Sequence, residues 1–376
     1  MGKKKRKVRT EFRKNRVSRT RTTDWTSRFE QGRLDADDTS ASERISGKGE
    51  LSRKRTIVAD NEQADHSLET QLDVDLSVCL QGRVLSVHGL QSVVETEPGH
   101  TYRCVTRRLL KTLSTDQRNV VATGDMVLFR PSHGHEGLIV RVEPRHGLLC
   151  RAARGQRHVI CSNVDQVVMV ASAAEPRLKP NLIDRFLVTA EKEGIRPLIC
   201  INKIDLLGAA TLEPLVGVYS QMGYEVLLCS ATAPLGIDRL RQALRDRESV
   251  FAGQSGVGKT SLLNAVEPGL GLRVSAVSAD TQKGRHTTTA ARLIRLKAGG
   301  YVVDTPGIRQ MQLWDVAPAE VAGFFRDLRP FVSHCRFPDC THRHETGCAV
   351  KNAVADDLLD ARRYESYLHI FEDEPI

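Results

Sequence analysis

The spacing of apolar positions changes character three times along the chain. Residues 1–75 carry few large apolar side chains and show no period. Such a stretch buries too little surface to offset the entropy of ordering, so a disordered arm and linker are expected. From 76 to 150 the pattern becomes short β-rich runs: Val78–Leu80, Gly82–Val87, Ser92–Thr96, Tyr102–Val105, Met126–Phe129 and Gly137–Val142. Turn residues such as Pro98-Gly99, Thr123-Gly124-Asp125 and Gly134 separate them. Five or so strands in about seventy residues predict a small β-barrel of the OB kind, a fold that often binds oligonucleotides.

From 151 to 314 strand and helix patterns alternate. Asp165–Ala171 is a continuous apolar run, as for a strand covered on both faces. Residues 181–194 place Leu182, Phe186, Leu187 and Ala190 on one helical face. Strands follow at Pro197–Ile201, Tyr224–Leu228, Val250–Ala252, Arg292–Leu296 and Tyr301–Asp304, with helices expected near 212–222, 236–245 and from Ser261. This alternation predicts a parallel, doubly wound sheet. From 315 to 376 the chain turns helical, with one helix expected over Pro318–Leu328 and more over Ala349–His369.

The hydrophobic share is 40% and the net charge is +9, which favours a polyanionic partner. Ten of the first twenty residues are Lys or Arg against one acid, Glu11, so the arm suits phosphate contacts released by salt. Trp25 and Phe29 in it can stack on bases or pack on the next domain. No run is long and apolar enough for a membrane span, and no secretory core is present, so a cytoplasmic protein without membrane contact is expected. Six of the nine cysteines (Cys79, Cys104, Cys150, Cys161, Cys200, Cys229) are scattered, as small buried hydrophobes of a reducing compartment are.

Chemistry enters at Gly253-Gln254-Ser255-Gly256-Val257-Gly258-Lys259-Thr260, which fits the phosphate-binding pattern G-x-x-x-x-G-K-[ST] and continues into Ser261. A strand-like run precedes it and a helix start follows. Glycines let the backbone N–H groups and the helix N-terminus face a polyphosphate. Lys259 would reach the β- and γ-phosphates, and the Thr260 hydroxyl would hold Mg²⁺.

At the carboxyl end of another strand stands Asn202-Lys203-Ile204-Asp205. An ionised Asp205 can accept from N1–H and the 2-amino group of guanine, whereas adenine would leave it unpaired. Asn202 can bond the other edge of the base, and the Lys203 stem can lie along its face. Ser230-Ala231 fits the loop that offers a backbone N–H to the guanine oxygen. Asp304-Thr305-Pro306-Gly307 ends the strand after the phosphate loop, with Asp304 near Mg²⁺ and the Gly307 N–H sensing the γ-phosphate. Gly284-Arg285-His286-Thr287-Thr288-Thr289 reads as a mobile loop, one of whose three threonines would close on Mg²⁺. Ordinary GTPases run from phosphate loop to N-K-x-D. Here N-K-x-D comes first, so the domain is circularly permuted.

Cys335, Cys340, His342 and Cys348 form C-x₄-C-x-H-x₅-C. Three thiolates and an imidazole suit one structural, tetrahedral Zn²⁺, with His334 and His344 as alternative ligands.

Together these residues resemble the ribosome small-subunit-dependent GTPase A family of bacteria, over about residues 76–370. The resemblance implies an OB-fold barrel, a circularly permuted α/β P-loop GTPase domain and a small helical zinc-binding domain. It implies a factor that binds the small (30S) ribosomal subunit and its rRNA late in maturation. It also implies hydrolysis of GTP to GDP stimulated by that subunit. A monomer is expected. Ile308 occupies the position where many GTPases place a water-orienting Gln, so another group must act. His286 is the candidate, with Arg285 and Arg309 as further ones.

Overall fold

A computed structural model describes residues 6–11, 54–59, 76–97, 99–107, 120–153, 156–272, 291–304 and 316–372. The chain forms two compact units. The first is Met1–Asn163 with Ala290–Leu293, and the second is Val164–Thr289 with Ile294–Ile376.

In the first unit the arm expected to be disordered contains one described element. Strands β1 (Arg6–Glu11) and β2 (Lys54–Ala59) pair antiparallel, with Val8 opposite Ile57. Both contain β-branched residues, which favour extended backbone. The barrel follows as β3 (Leu80–His88), β4 (Gln91–Thr96), β5 (His100–Thr106), β6 (Met126–Pro131) and β7 (Glu136–Val142). Its order is β3-β4-β5-β7-β6, and β6 returns to β3, which closes it. Along β4, Ser92, Val94 and Thr96 are buried while their neighbours are half exposed, the period of two that a barrel wall requires. Val84, Val94, Cys104, Val127, Phe129 and Ile139 fill the interior. A Cβ at Gly137 would lie 2.6 Å from the Phe129 ring, so only glycine fits that strand.

A hairpin of β8 (Leu149–Ala153) and β9 (Gln156–Cys161) leaves the barrel, across the expected boundary at 150–151. Its arginine-rich sequence has no apolar alternation to announce it. Buried Asp125 receives the Arg145 guanidinium at 2.7 Å and the Ser162 hydroxyl at 2.5 Å, which ties the exit of the barrel to its Thr123–Asp125 turn.

The second unit begins with β10 (Gln166–Ser172), α1 (Pro180–Lys192), β11 (Arg196–Asn202), α2 (Glu213–Gln221), β12 (Glu225–Leu228), α3 (Ile237–Leu244), β13 (Glu248–Ala252) and α4 (Lys259–Val266). Strand β14 (Arg292–Arg295) begins in the first unit and ends in the second, and β15 (Tyr301–Asp304) follows. Strands β12-β11-β10-β13-β15 lie side by side and run parallel. Every residue of β10 and β13 is buried, as the unbroken apolar runs require. The thiols follow suit: Cys200 and Cys229 are buried here, and in the barrel unit burial pushes Cys104 and Cys161 up to about 12.

The C-terminal segment departs from its expected helices in two places. The helix expected over 318–328 is a 3₁₀ turn (Pro318–Glu320) and a short α5 (Val321–Phe324), followed by α6 (Arg329–Val332). Phe325 turns to extended backbone, and both Phe325 and Leu328 are fully buried, so core packing overrides the helical run. The helix expected over 349–369 is divided into α7 (Ala349–Ala355) and α8 (Ala361–Phe371). Asp357 is left-handed at φ 55°, and Asp360 caps α8 by accepting from the Arg362 N–H. These helices share one core with Val188 of α1.

Beneath that core lies a buried polar cluster. The Arg363 guanidinium donates to both oxygens of Asp327 at 2.9 and 3.0 Å and to Asp184 of α1. The Tyr219 hydroxyl donates to Asp184 at 2.8 Å, and the Phe325 ring lies 4.5 Å from the guanidinium carbon. At the edge, Arg326 pairs with Glu191 at 2.6 Å and covers the Tyr224 ring.

Candidate functional site

The parallel strands deliver the predicted motifs to one edge of the sheet. Asn202 ends β11, Ser230 follows β12, Gly253 follows β13 and Asp304 ends β15. Val250 of β13 stands opposite Val303 of β15, so the phosphate-loop sequence and Asp304 emerge together. The carboxyl edge of such a sheet is where ligands bind.

The loop between β13 and α4 depends on its glycines. Gly253 has φ 137°, and a Cβ there would sit 2.1 Å from the Val170 carbonyl oxygen. Gly258 has φ 91°, and a Cβ there would sit 2.4 Å from Asn202 Nδ2. Val257 is 2% exposed and pins the loop into the apolar core, while Ser255 at its crest is exposed. Gln254 and Gly256 flank that crest, and Thr260 and Ser261 lie half-buried on the first turn of α4. The Lys259 ammonium folds back to donate to the carbonyls of Gly253 at 2.8 Å and Gln254 at 2.6 Å. A polyphosphate in the loop would compete for that ammonium.

Asn202 is 1% exposed, and its amide donates to the Val257 carbonyl at 2.8 Å. It therefore ties the 202–205 turn to the phosphate loop, while its Oδ1 is buried without a hydrogen-bond partner. Lys203 is left-handed at φ 63° and donates to the Glu175 carbonyl at 2.5 Å. Asp205 points into solvent. The Ser230 hydroxyl first, then its own backbone N–H, Thr232 and the Lys203 charge, hold its carboxyl below the usual carboxylate value. Thr232 Oγ1 lies 3.3 Å from Asp205 Oδ2 and 3.0 Å from Ser230 Oγ, and the Ala233 N–H donates to Ser230 Oγ at 3.0 Å. Ala231, between them, packs half-buried on the sheet core.

Three participants were not foreseen: Thr232, the Val257 carbonyl and the Glu175 carbonyl. A threonine two places after Ser230 was a legible signal, whereas a backbone carbonyl leaves none. Gly307, the Arg285–Thr289 loop with His286, and Ile308 and Arg309 lie outside the described residues, as does the side chain of Asp304.

The Cys/His cluster stands apart from this edge. The ligand atoms of Cys335, Cys340, His342 and Cys348 all lie within 4.8 Å of one another. His342 Nδ1 is 3.4 Å from Cys335 Sγ and 3.5 Å from Cys348 Sγ, and those two sulfurs are 3.9 Å apart. Tetrahedral zinc, with bonds of about 2.3 Å to sulfur and about 2.0 Å to nitrogen, places sulfur pairs about 3.8 Å and sulfur–nitrogen pairs about 3.5 Å apart. The donor set therefore fits a metal of that size. His334 and His344 are exposed and outside the cluster, which leaves His342 as the imidazole. Tyr364 and Tyr367 donate to the carbonyls of His342 and Thr341 at 2.6 and 2.7 Å, so α8 clamps the ligand loop.

Among the described residues no helix is long and apolar enough to cross a membrane.

A family model described as RsgA GTPase matches residues 142–314. A protein of Chromohalobacter salexigens named small ribosomal subunit biogenesis GTPase RsgA is 42% identical over 298 residues, 77% of this chain and 85% of that protein. A protein of Azotobacter vinelandii with the same name is 42% identical over 309 residues, 80% of this chain and 88% of its own. The crystal structure of YjeQ from Thermotoga maritima matches with a TM-score of 0.65 at 35% identity, over 78% of this chain and 98% of that one. YloQ, described as a circularly permuted GTPase, matches at 0.62 and 29% identity, over 84% of this chain and 97% of its own. With its sheet in permuted order and its phosphate loop and N-K-x-D turn at one edge, the chain belongs to the RsgA GTPase family and is a GTP hydrolase.

Proposed function

We propose that the chain binds GTP at this sheet edge, acts in late maturation of the small ribosomal subunit, and hydrolyses GTP when the subunit stimulates it. The observation that carries the reading is the Asn202–Val257 hydrogen bond, which joins a guanine-selecting turn to a phosphate loop. Gly253 to Ser261 would wrap the phosphates, with Lys259 over the β- and γ-groups. Asp205, with the Ser230-Ala231 loop, would read the guanine edge. Asn202 would fix the phosphate loop beneath it, and the Lys203 stem would cover the base. Thr260 and Asp304 would hold Mg²⁺, whose charge would stabilise the transferring phosphoryl group. Gly307 would sense the γ-phosphate, and His286 would order the attacking water. Cys335, Cys340, His342 and Cys348 would hold one structural Zn²⁺ that closes the C-terminal knuckle.

The names of the relatives and the charge of +9 support a ribosomal partner with rRNA as the contacted polyanion, and hence a cytoplasmic site of action. The test is GTP turnover by the full chain alone, with small subunits, with large subunits and with tRNA. Stimulation by small subunits only is expected. Stimulation by tRNA instead would move the function to another RNA, and no stimulation by any of them would leave a nucleotide-regulated RNA-binding module. His286→Ala is expected to lower stimulated turnover while GDP affinity holds, and unchanged stimulated turnover would remove His286 from the mechanism.

A further inference from the structure

The guanine-reading carboxylate is exposed, yet it must present two oxygens in one plane to the base. Asp205 sits on a short 3₁₀ turn (Ile204–Leu206) and has solvent on its open side. The next loop adds to the backbone N–H that its own turn supplies. Ser230 is fully buried, and its N–H donates to the Leu235 carbonyl at 2.9 Å, so the loop 230–235 is closed on itself. Within it the Thr232 hydroxyl proton can be assigned. Ser230 Oγ accepts from the Ala233 N–H, so its single proton points outward. The Thr232 hydroxyl lies between Ser230 Oγ and Asp205 Oδ2. An ionised carboxylate only accepts, so Thr232 is the donor in that contact. The Ala233 N–H donates to Ser230 and Thr232 donates to Asp205, while the Ser230 proton can go to Thr232 or to Asp205 itself.

We propose that Thr232 is a positioning residue for guanine recognition, fixing the Asp205 carboxylate so that its remaining lone pairs meet both N1–H and the 2-amino group. The proposal rests on the reading of Asp205 as the guanine acceptor. β-Branching limits Thr232 to few rotamers, so its hydroxyl is aimed at little entropic cost. A carboxylate without that donor can rotate and still meet one N–H, but it meets two poorly. The 2-amino contact therefore depends on Thr232 more than the N1 contact does.

The test uses the full chain with GDP and with inosine diphosphate, which lacks the 2-amino group, in wild type, Thr232→Val, Thr232→Ser and Asp205→Asn. Thr232→Val keeps the branched shape and removes the hydroxyl. It is expected to weaken GDP about tenfold and inosine diphosphate about twofold or less, in line with loss of a hydrogen bond to a charged acceptor. Thr232→Ser restores the hydroxyl and is expected to return GDP affinity to within about twofold of wild type. Equal losses for the two nucleotides, no loss, or a serine variant that behaves as the valine does would each overturn the role of Thr232. Asp205→Asn separates the underlying reading. If it leaves the GDP-to-inosine-diphosphate ratio at the wild-type value, Asp205 is not the acceptor. If it collapses the ratio while Thr232→Val does not, only the positioning role fails.

Discussion

Asp205 and Asp184 are aspartates of the same sheet unit, and both accept from hydroxyl groups, but their surroundings push them in opposite directions. Asp205 lies in solvent beside Ser230 and Thr232, and its carboxyl is held below the usual value. Asp184 is fully enclosed, and burial pushes its carboxyl up, opposed by Arg363, Ser366 and Tyr219. Asp184 has its charge answered by Arg363, which also binds Asp327 through two nitrogens, so nothing about it is available to a ligand. Asp205 has donors on one side only. A carboxylate that must select a base keeps lone pairs free and stays ionised without a counter-cation in contact. A carboxylate that must join two layers of helix turns to the protein: Asp184 Oδ1 accepts from Arg363 and Tyr219, and its Oδ2 is buried without a hydrogen-bond partner. Hydrogen bonding alone does not separate the two roles; the direction of the open side does.

The largest effect expected is on the layers that Asp184 joins, and metal removal tests whether the ion cluster or the knuckle holds them. Structural zinc contributes on the order of 10 kcal/mol in small zinc-dependent folds. Chelation, or Cys335→Ser, is expected to release protection of α7 and α8 in hydrogen exchange while β10–β13 stay protected. If α8 keeps its protection without metal, the Arg363 cluster alone anchors it. Next in size is Arg363→Ala, which strands Asp184 and Asp327 together. Removing one partner of a buried ion pair costs about 3–5 kcal/mol, read as a lower denaturant midpoint. A midpoint within about 0.5 kcal/mol of wild type would show that the cluster is a surface-like pair after all.

The two aspartates also differ in how far the sequence announced them. The place of Asp205 at the sheet edge was legible because the N-K-x-D pattern fixes its residue type and its spacing from Asn202, as the proposed base selection requires. The phosphate loop and the Cys/His set were legible for the same reason: ligands constrain local spacing. Asp184 was not, because its partners Arg363 and Asp327 are remote in sequence and no local pattern links them. The breaks at Phe325 and Asp357 were lost for a related reason. The apolar period continued through them, and only the packing of Phe325 and Leu328 and the cap at Asp360 ended the helices. The β8–β9 hairpin was silent because its arginine-rich strands do not alternate. The barrel and the parallel sheet survived translation because β4 alternates and β10 is apolar throughout.

Asp205→Asn sharpens the contrast from the other side. Two hydrogen bonds to a charged acceptor, at about 1.5–3 kcal/mol each, imply that GDP binding falls about a hundredfold or more. Folding stability is expected to be nearly unchanged, because the carboxylate is exposed and its bonds to Thr232 and Ser230 lie at the surface. The asparagine amide can donate to the 2-carbonyl of xanthine, so xanthosine diphosphate is expected to gain on GDP. Competition between the two nucleotides measures it, and an unchanged ratio would place base selection elsewhere.

The smallest expected effect is in acid, and its sign follows from the direction of the shift. On the proposed reading, guanine needs the ionised form of Asp205. A carboxyl held below its ordinary 3.8 keeps that form as pH falls to that value and loses it only further down. The GDP-to-inosine-diphosphate affinity ratio, in which the phosphate contributions cancel, is therefore expected to hold flat down to about that pH and then fall. Thr232→Val removes one donor to the ionised form, which raises the carboxyl and moves the onset of the fall to higher pH. Asp184 moves the other way. Its carboxyl is raised, so the folded state takes up its proton first, and its share of stability declines as pH rises above the unfolded value. Unfolding measured over the same acid range would thus rise or fall independently of the affinity ratio. Superimposed affinity profiles for wild type and Thr232→Val would mean that Ser230, the Asp205 N–H and the Lys203 charge hold Asp205 ionised and that the Thr232 hydroxyl, 3.3 Å away, is a bystander.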